Sequence, residues 1–336
     1  MKHTSVYMCL AFLSLCFANS SIEAAYTIQN GRLVNADMVA TLPADRHFNL
    51  GKAALNENDW REAARQFSIV SYNYPNSPLG QEAFYYLGIA EFNMNEFDFA
   101  NDAFSQYLKA QNNPQHFLSA IEYKYYIAEQ FRCGAKRRFL GTKQLPRWAT
   151  GRSMALQIYD EVIAAMPSHE MAIKALYSKG FLLWEMGEYR DSIDSFQLLS
   201  KRFPKDELAP NCYVIISRIY LDLCQNEPQN PDILAFAELN ARKFKQEFPK
   251  EERISTVEYN VQQIMELYAG ALYETGKFYE RVSQPRASII YYHNAINQFP
   301  YTEIAQKCKE RLHVLDPTYC DNPKQNQTGP NFCPSS

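Results

Sequence analysis

Apolar and polar positions alternate with a helical period through FNLGKAALNENDWREAARQFSIVSYNYP, the stretch Phe48 to Pro75. It reads as two antiparallel helices. Gly51 is followed nine residues later by Trp60, sixteen later by Phe67, and then by Pro75. The same frame returns from Gly88 with Phe97 and Phe104, and from Gly180 with Tyr189, Phe196 and Pro204. Glycine midway along a first helix lets the partner helix approach closely. The aromatic at +9 opens the second helix, a small residue such as Ala63 or Ser192 follows, and the +16 ring packs between the pair. Proline then stops the second helix.

This frame is similar to the tetratricopeptide pattern of about 34 residues per helix–turn–helix. One such hairpin cannot bury its apolar face alone, so the expected fold is an all-α solenoid of stacked hairpins with a C-terminal closing helix. Six hairpins are predicted across residues 45–315. The third is interrupted between the helices Leu118–Phe131 and Met154–Met166 by an insertion at 132–152. The sixth begins with a long helix from Thr256 to Arg281, and Thr302–Leu315 forms the closing helix. Before the hairpins, residues 1–25 read as a secretory signal, with Lys2 and His3 ahead of an apolar stretch too short to span a bilayer. Residues 26–44 carry no helical period and read as a lead-in tether, and 316–336, rich in Pro, Asn and Ser, as a disordered tail.

In such solenoids the first helices line the concave face. Positions one turn to either side of each repeat glycine then face a groove: Phe48, Lys52 and Asn56; Tyr85, Ile89 and Asn93; Tyr177, Phe181 and Glu185. Aromatics with Asn and Lys suit an extended peptide, stacking its side chains and bonding its backbone. The insertion carries Arg132, Lys136, Arg137, Arg138, Lys143, Arg147 and Arg152 with no Asp or Glu. It reads either as a solvated loop or as a docking loop for an acidic partner or anionic headgroups, with Arg137, Arg138, Lys143, Arg147 and Trp148 as the candidates. Its Phe139, Leu140 and Trp148 tilt the balance toward docking.

Charge adds little, since the net value of −3 gives no global pull toward nucleic acid. Aromatic content of 14% is accounted for mainly by repeat packing. No GxGxxG, P-loop, HExxH or GxSxG string occurs, so an enzyme is not expected, nor a cofactor. Scattered histidines and the lack of a CxxC pair predict no metal site. Cys133, Cys212, Cys224, Cys308, Cys320 and Cys333 follow the signal. Their pairing stays open, except that Cys212 and Cys224 are too far apart on one helix to bridge.

The order of parts resembles the BamD family, the lipoprotein subunits of the outer-membrane β-barrel assembly machinery. The likeness is carried by the opening hairpins, by the YPxSP turn at Tyr74–Pro78, by the insertion in the third hairpin, and by Lys277–Arg281 leading to Gln298–Thr302. The chain departs from the family at three points: six hairpins replace five, Leu15 precedes Cys16 where a lipobox takes a small residue, and Tyr292 stands where an Arg is expected. The resemblance implies a non-catalytic periplasmic scaffold at the inner face of the outer membrane. It would carry lipid at Cys16, bind the terminal segment of unfolded outer-membrane proteins, and dock the barrel subunit. The alternative is a periplasmic coordinator of cell-wall synthesis and envelope constriction.

Overall fold

The computed structural model describes residues 26–29, 32–35, 38–110, 113–227, 230 and 232–316. The signal segment with Cys16 and the tail cysteines Cys320 and Cys333 lie outside these residues. Among the described residues, 13 helices account for nearly all regular structure, and the fold is all-α, of the tetratricopeptide solenoid type. The chain divides into two compact units, one ending at Ile158 and one beginning at Tyr159.

The first unit starts with a short antiparallel pair, β1 (Tyr26–Gln29) and β2 (Arg32–Asn35). Two hairpins follow: α1 (Ala44–Asn56) with α2 (Trp60–Asn73), then α3 (Pro78–Asn93) with α4 (Phe97–Ala110). Helix α5 (Phe117–Arg132) packs on α4, and the insertion forms a second antiparallel pair, β3 (Lys136–Arg138) with β4 (Arg147–Thr150). Helix α6 (Arg152–Ala165) straddles the boundary. The second unit continues with α7 (Glu170–Glu185) and α8 (Tyr189–Arg202), α9 (Leu208–Asn226) and α10 (Asp232–Glu247), α11 (Ile254–Arg281) and α12 (Pro285–Gln298). It ends with α13 (Glu303–Leu315), which packs on α11 and α12.

Four hairpins share one internal geometry. A Cβ on Gly51, Gly88 or Gly180 would lie 2.8, 2.7 and 2.7 Å from the rings of Phe67, Phe104 and Phe196, closer than real contacts allow. Those rings are fully buried. A fourth copy runs from Gly276 to Tyr292, with 2.5 Å between the hypothetical Cβ and the ring. Tyr292, flagged in the sequence only as a departure from the BamD pattern, therefore fills the repeat's ring position.

Two further positions complete the frame. Twelve residues after each glycine stands a fully buried small residue, Ala63, Ala100, Ser192 or Ser288. The two serines donate to the carbonyls of Gly180 and Gly276 at 2.7 and 2.9 Å. Seven residues after each glycine the backbone turns left-handed: Asn58 (φ 60°), Asn95 (φ 58°), Gly187 (φ 82°) and Ser283 (φ 56°). That residue reverses the chain between helices, which is why Asn and Gly dominate there.

The lead-in departs from the expected loose tether. Besides the β1–β2 pair, Asn73 Nδ2 donates to the Met38 carbonyl (2.7 Å) and the Leu42 amide donates to His47 Nε2 (3.1 Å). The other nitrogen of the buried His47 ring lies 2.6 Å from Gln66 Oε1, which fastens the entry segment to α2. The turn into the second hairpin is equally specified. Ser77 Oγ accepts from the Gly80 amide (2.9 Å) and donates to the Tyr74 carbonyl (2.8 Å), with Pro78 at the first helical position.

Candidate functional site

The predicted groove residues occupy equivalent places on first helices, at −3, +1 and +5 from each glycine, but they are not equally open. In the first unit Phe48 is half-buried, edge-on to Phe67 (5.5 Å) and Tyr86 (5.7 Å). Lys52 Nζ sits 3.8 Å over the Tyr86 ring, a cation–π contact that holds the ammonium on this face. Tyr85 is only 7% exposed, stacked on His116 with centroids 4.3 Å apart and packed against Tyr107 and Phe104. Burial pushes its phenol pKa up. Tyr85 is thus a core side chain rather than an open groove residue. Ile89 is half-buried, and Asn56 and Asn93 are exposed, Asn93 spending one donor on the Ile89 carbonyl.

In the second unit Tyr177 and Phe181 are half-buried and edge-on to one another (4.9 Å), and both rings meet Phe196. Tyr177 Oη accepts from Asn211 Nδ2 (2.8 Å). Phe181 lies beside Trp184, whose Nε1 donates to Asp222 (2.9 Å), and Glu185 is exposed. In all three helices, then, −3 and +1 lean toward the packing and +5 faces solvent.

The second helices frame a surface that the sequence reading did not anticipate. Between α8 and α10, with α9 as the floor, runs a groove of about 1180 Å³. Tyr213 and Tyr220 line its base, and Phe236, 52% exposed, stacks on Tyr220. The signal was present as Phe236 and Leu239 on the outward side of α10.

The insertion corrects expectation most clearly. It is neither a free loop nor a free cation patch, because its basic side chains close onto the protein's own carboxylates. Arg137 Nε donates to Asp98 (2.7 Å), whose other oxygen accepts the Arg138 amide (2.8 Å). Arg138 and Arg147 both hold Glu96, the latter at 2.9 Å, and Lys143 pairs with Glu91. The register shift between Arg137 and Arg138 leaves Trp148 as the extra residue of a bulge on β4, since Arg137 pairs with Ala149 and Arg138 with Arg147. Burial opposes ionisation of Glu96, but hydrogen bonds from Arg138 and Arg147 outweigh it and hold the carboxyl below its ordinary range. Glu91 is 3% exposed and its Oε2 has no hydrogen-bond partner. Burial there wins over the Lys143 charge and pushes the carboxyl pKa up. Of the five insertion candidates only Trp148 stands largely free, 72% exposed.

Other chemistry is sparse. Among the described residues no cluster of His, Cys, Asp and Glu could hold a metal ion, and no helix is long and apolar enough to cross a membrane. The four described cysteines are free thiols; Cys133 is exposed and the others buried. Burial pushes the Cys212 and Cys308 thiols up to about 12 and raises Cys224.

Comparison with known proteins gives the following. No curated protein sequence matches. Among solved structures, MamA residues 41-end from Desulfovibrio magneticus RS-1 is 18% identical, covering 62% of this chain and 97% of that one at a TM-score of 0.33. A tetratricopeptide repeat protein from Parabacteroides merdae is 16% identical over 81% of this chain and 98% of its own, at 0.34. YrrB, a TPR protein with an unusual peptide-binding site, is 11% identical over 65% and 92%, at 0.33. The repeat geometry above, rather than these superpositions, establishes the fold. The outer membrane lipoprotein family YfiO matches residues 41–227, more than half of the sequence and the part that holds the first four hairpins and the insertion. By that match the chain belongs to the YfiO family of outer membrane lipoproteins, the BamD family.

Proposed function

We propose that this protein is a non-catalytic scaffold in the assembly of outer-membrane β-barrel proteins, holding an extended segment of an unfolded barrel protein against its first helices. Family membership supports the setting, and the repeat fold supports a role in protein–protein interaction. The observation that carries the reading is the repeated exposure at +5. In the first unit Asn56 and Asn93 stand exposed on equivalent helices, beside the half-buried Phe48 and Ile89. That combination fits main-chain hydrogen bonding flanked by side-chain stacking. The high thiol pKa values of Cys212 and Cys308 leave those sulfurs protonated at neutral pH, which speaks against nucleophilic chemistry there.

The test is fluorescence anisotropy with a labelled peptide carrying the terminal strand of an outer-membrane β-barrel. Asn56→Ala with Asn93→Ala is expected to weaken binding about thirtyfold, at about 1 kcal/mol for each lost hydrogen bond. Because both side chains are exposed, helicity and melting temperature stay unchanged. Unaltered affinity in that variant sinks the assignment. Tyr85→Ala is unsuitable for this purpose, because a buried ring reports stability rather than contact.

A further inference from the structure

The outward face of the insertion has chemistry of its own. Arg147 is held on Glu96, while Trp148, which the β3–β4 register skips between Arg147 and Ala149, is largely exposed to solvent. Phe139, 46% exposed in the turn after β3, lies beside it with ring centroids 6.4 Å apart. Residues 132–152 contain no Asp or Glu of their own. Four of the basic side chains are engaged by Glu91, Glu96 and Asp98, and Lys136 stays exposed at the edge. The result is a rigid hairpin that shows solvent a Trp–Phe pair with a weakly cationic rim. Trp, with an apolar body and a polar N–H, partitions into the headgroup region of a bilayer, and the Phe ring adds apolar area beside it; this chain belongs to an outer membrane lipoprotein family.

We propose that the Phe139–Trp148 face of the β3–β4 hairpin seats itself in the headgroup layer of a phospholipid membrane. The chain lies on the surface and does not span it. The carboxylate clamp is what makes the contact aromatic rather than electrostatic. A free basic loop would bind anionic lipid and release it in salt, since surface charges are screened beyond about 8–10 Å at physiological ionic strength. Here the charge is consumed internally, and the rings carry the contact. This inference does not depend on peptide binding, and its experiment contains no peptide.

The experiment uses the full chain with Cys16→Ala, so that no acyl chain contributes. Vesicles of phosphatidylcholine, with and without phosphatidylglycerol, carry bromine on their acyl chains to quench nearby indoles. The Trp148 signal is the difference between this protein and the same protein with Trp148→Phe. Quenching of Trp148 is expected in both lipid mixtures and at low and high NaCl. In co-sedimentation, Phe139→Ser with Trp148→Ser is expected to weaken binding by about tenfold or more, in line with the apolar area of two rings. Its helicity and melting temperature should match the parent, because both rings are exposed. Trp148 left unquenched in every vesicle overturns the proposal, whatever the rest of the chain does. Quenching confined to phosphatidylglycerol vesicles and abolished by salt overturns it in favour of charge-driven docking.

Discussion

Each repeat glycine is held by what faces it. At Gly88 the Phe104 ring already fills the space a methyl group would need, at 2.7 Å, so Gly88→Ala should cost about 1–3 kcal/mol through overpacking. Ser283 is the reverse case, a non-glycine residue in the left-handed region. Removing its Cβ should relieve about 1 kcal/mol, so Ser283→Gly is expected to stabilise. Opposite shifts of the urea midpoint in the two variants check both. The +16 rings and their glycines were readable from spacing in three hairpins because Gly and Phe both stood in place. The Gly276–Tyr292 copy was missed because Tyr replaced Phe and Pro285 stands at +9. Its glycine also lies inside a 28-residue helix, where nothing marks a repeat. The steric demand is for a ring, and the hydroxyl finds its own partner in Glu280.

Among the elements, the insertion shows how far composition can mislead. Seven cations without an anion describe a free basic loop only if their partners are unknown. The partners lie 39 to 52 residues away, at Glu96 and Asp98 beside the start of α4 and Glu91 near the end of α3. Glu91 and Glu96 do not titrate together. Glu91 has a raised pKa in the fold, so it releases its charge first on acidification, and its protonation adds stability as pH falls toward the unfolded value. Glu96 has a depressed pKa, so its contribution is present above the ordinary carboxylate range and is lost only as pH falls through the lower value. Carbon-detected titration of the two side chains should place Glu91 above and Glu96 below the usual glutamate value of about 4.3. Accordingly Glu96→Gln should speed amide exchange across β3 and β4 at neutral pH, while Glu91→Gln should do so little or not at all. Matching titration curves for the two residues would contradict this account of the clamp.

Across the whole molecule, burial sorts the side chains that the sequence left ambiguous. Of four described cysteines only Cys133 is exposed, so mass mapping after brief alkylation of the native protein should show it modified. Cys212, Cys224 and Cys308 should stay unmodified until the chain unfolds, both because they are covered and because burial keeps their thiols protonated. The last helices are tied in a similar way. Glu280 of α11 is held below its ordinary pKa by hydrogen bonds from Arg311 of α13, against the cost of burial, and it also accepts from Tyr292. The closing helix is thus fixed by charge as well as by Cys308 and Leu312 in its buried face.

The sequence by itself determined the helical hairpins, most of their boundaries and the glycine–ring lock. These follow from local periodicity, from steric rules that act within a few turns, and from residues that no other conformation would place at those intervals. It likewise carried the family, because the opening hairpins and the Tyr74–Pro78 turn are contiguous. Only the tertiary structure decided which aromatics are free and which charges are spent. Tyr85 and Trp148 are both aromatic residues on candidate surfaces, yet one is walled in by His116 and Tyr107 and the other stands in solvent. Arg138 and Lys143 read as available cations until Glu96 and Glu91 arrive from another helix pair. Exposure and ion pairing depend on residues distant in the chain, and no local pattern contains that information.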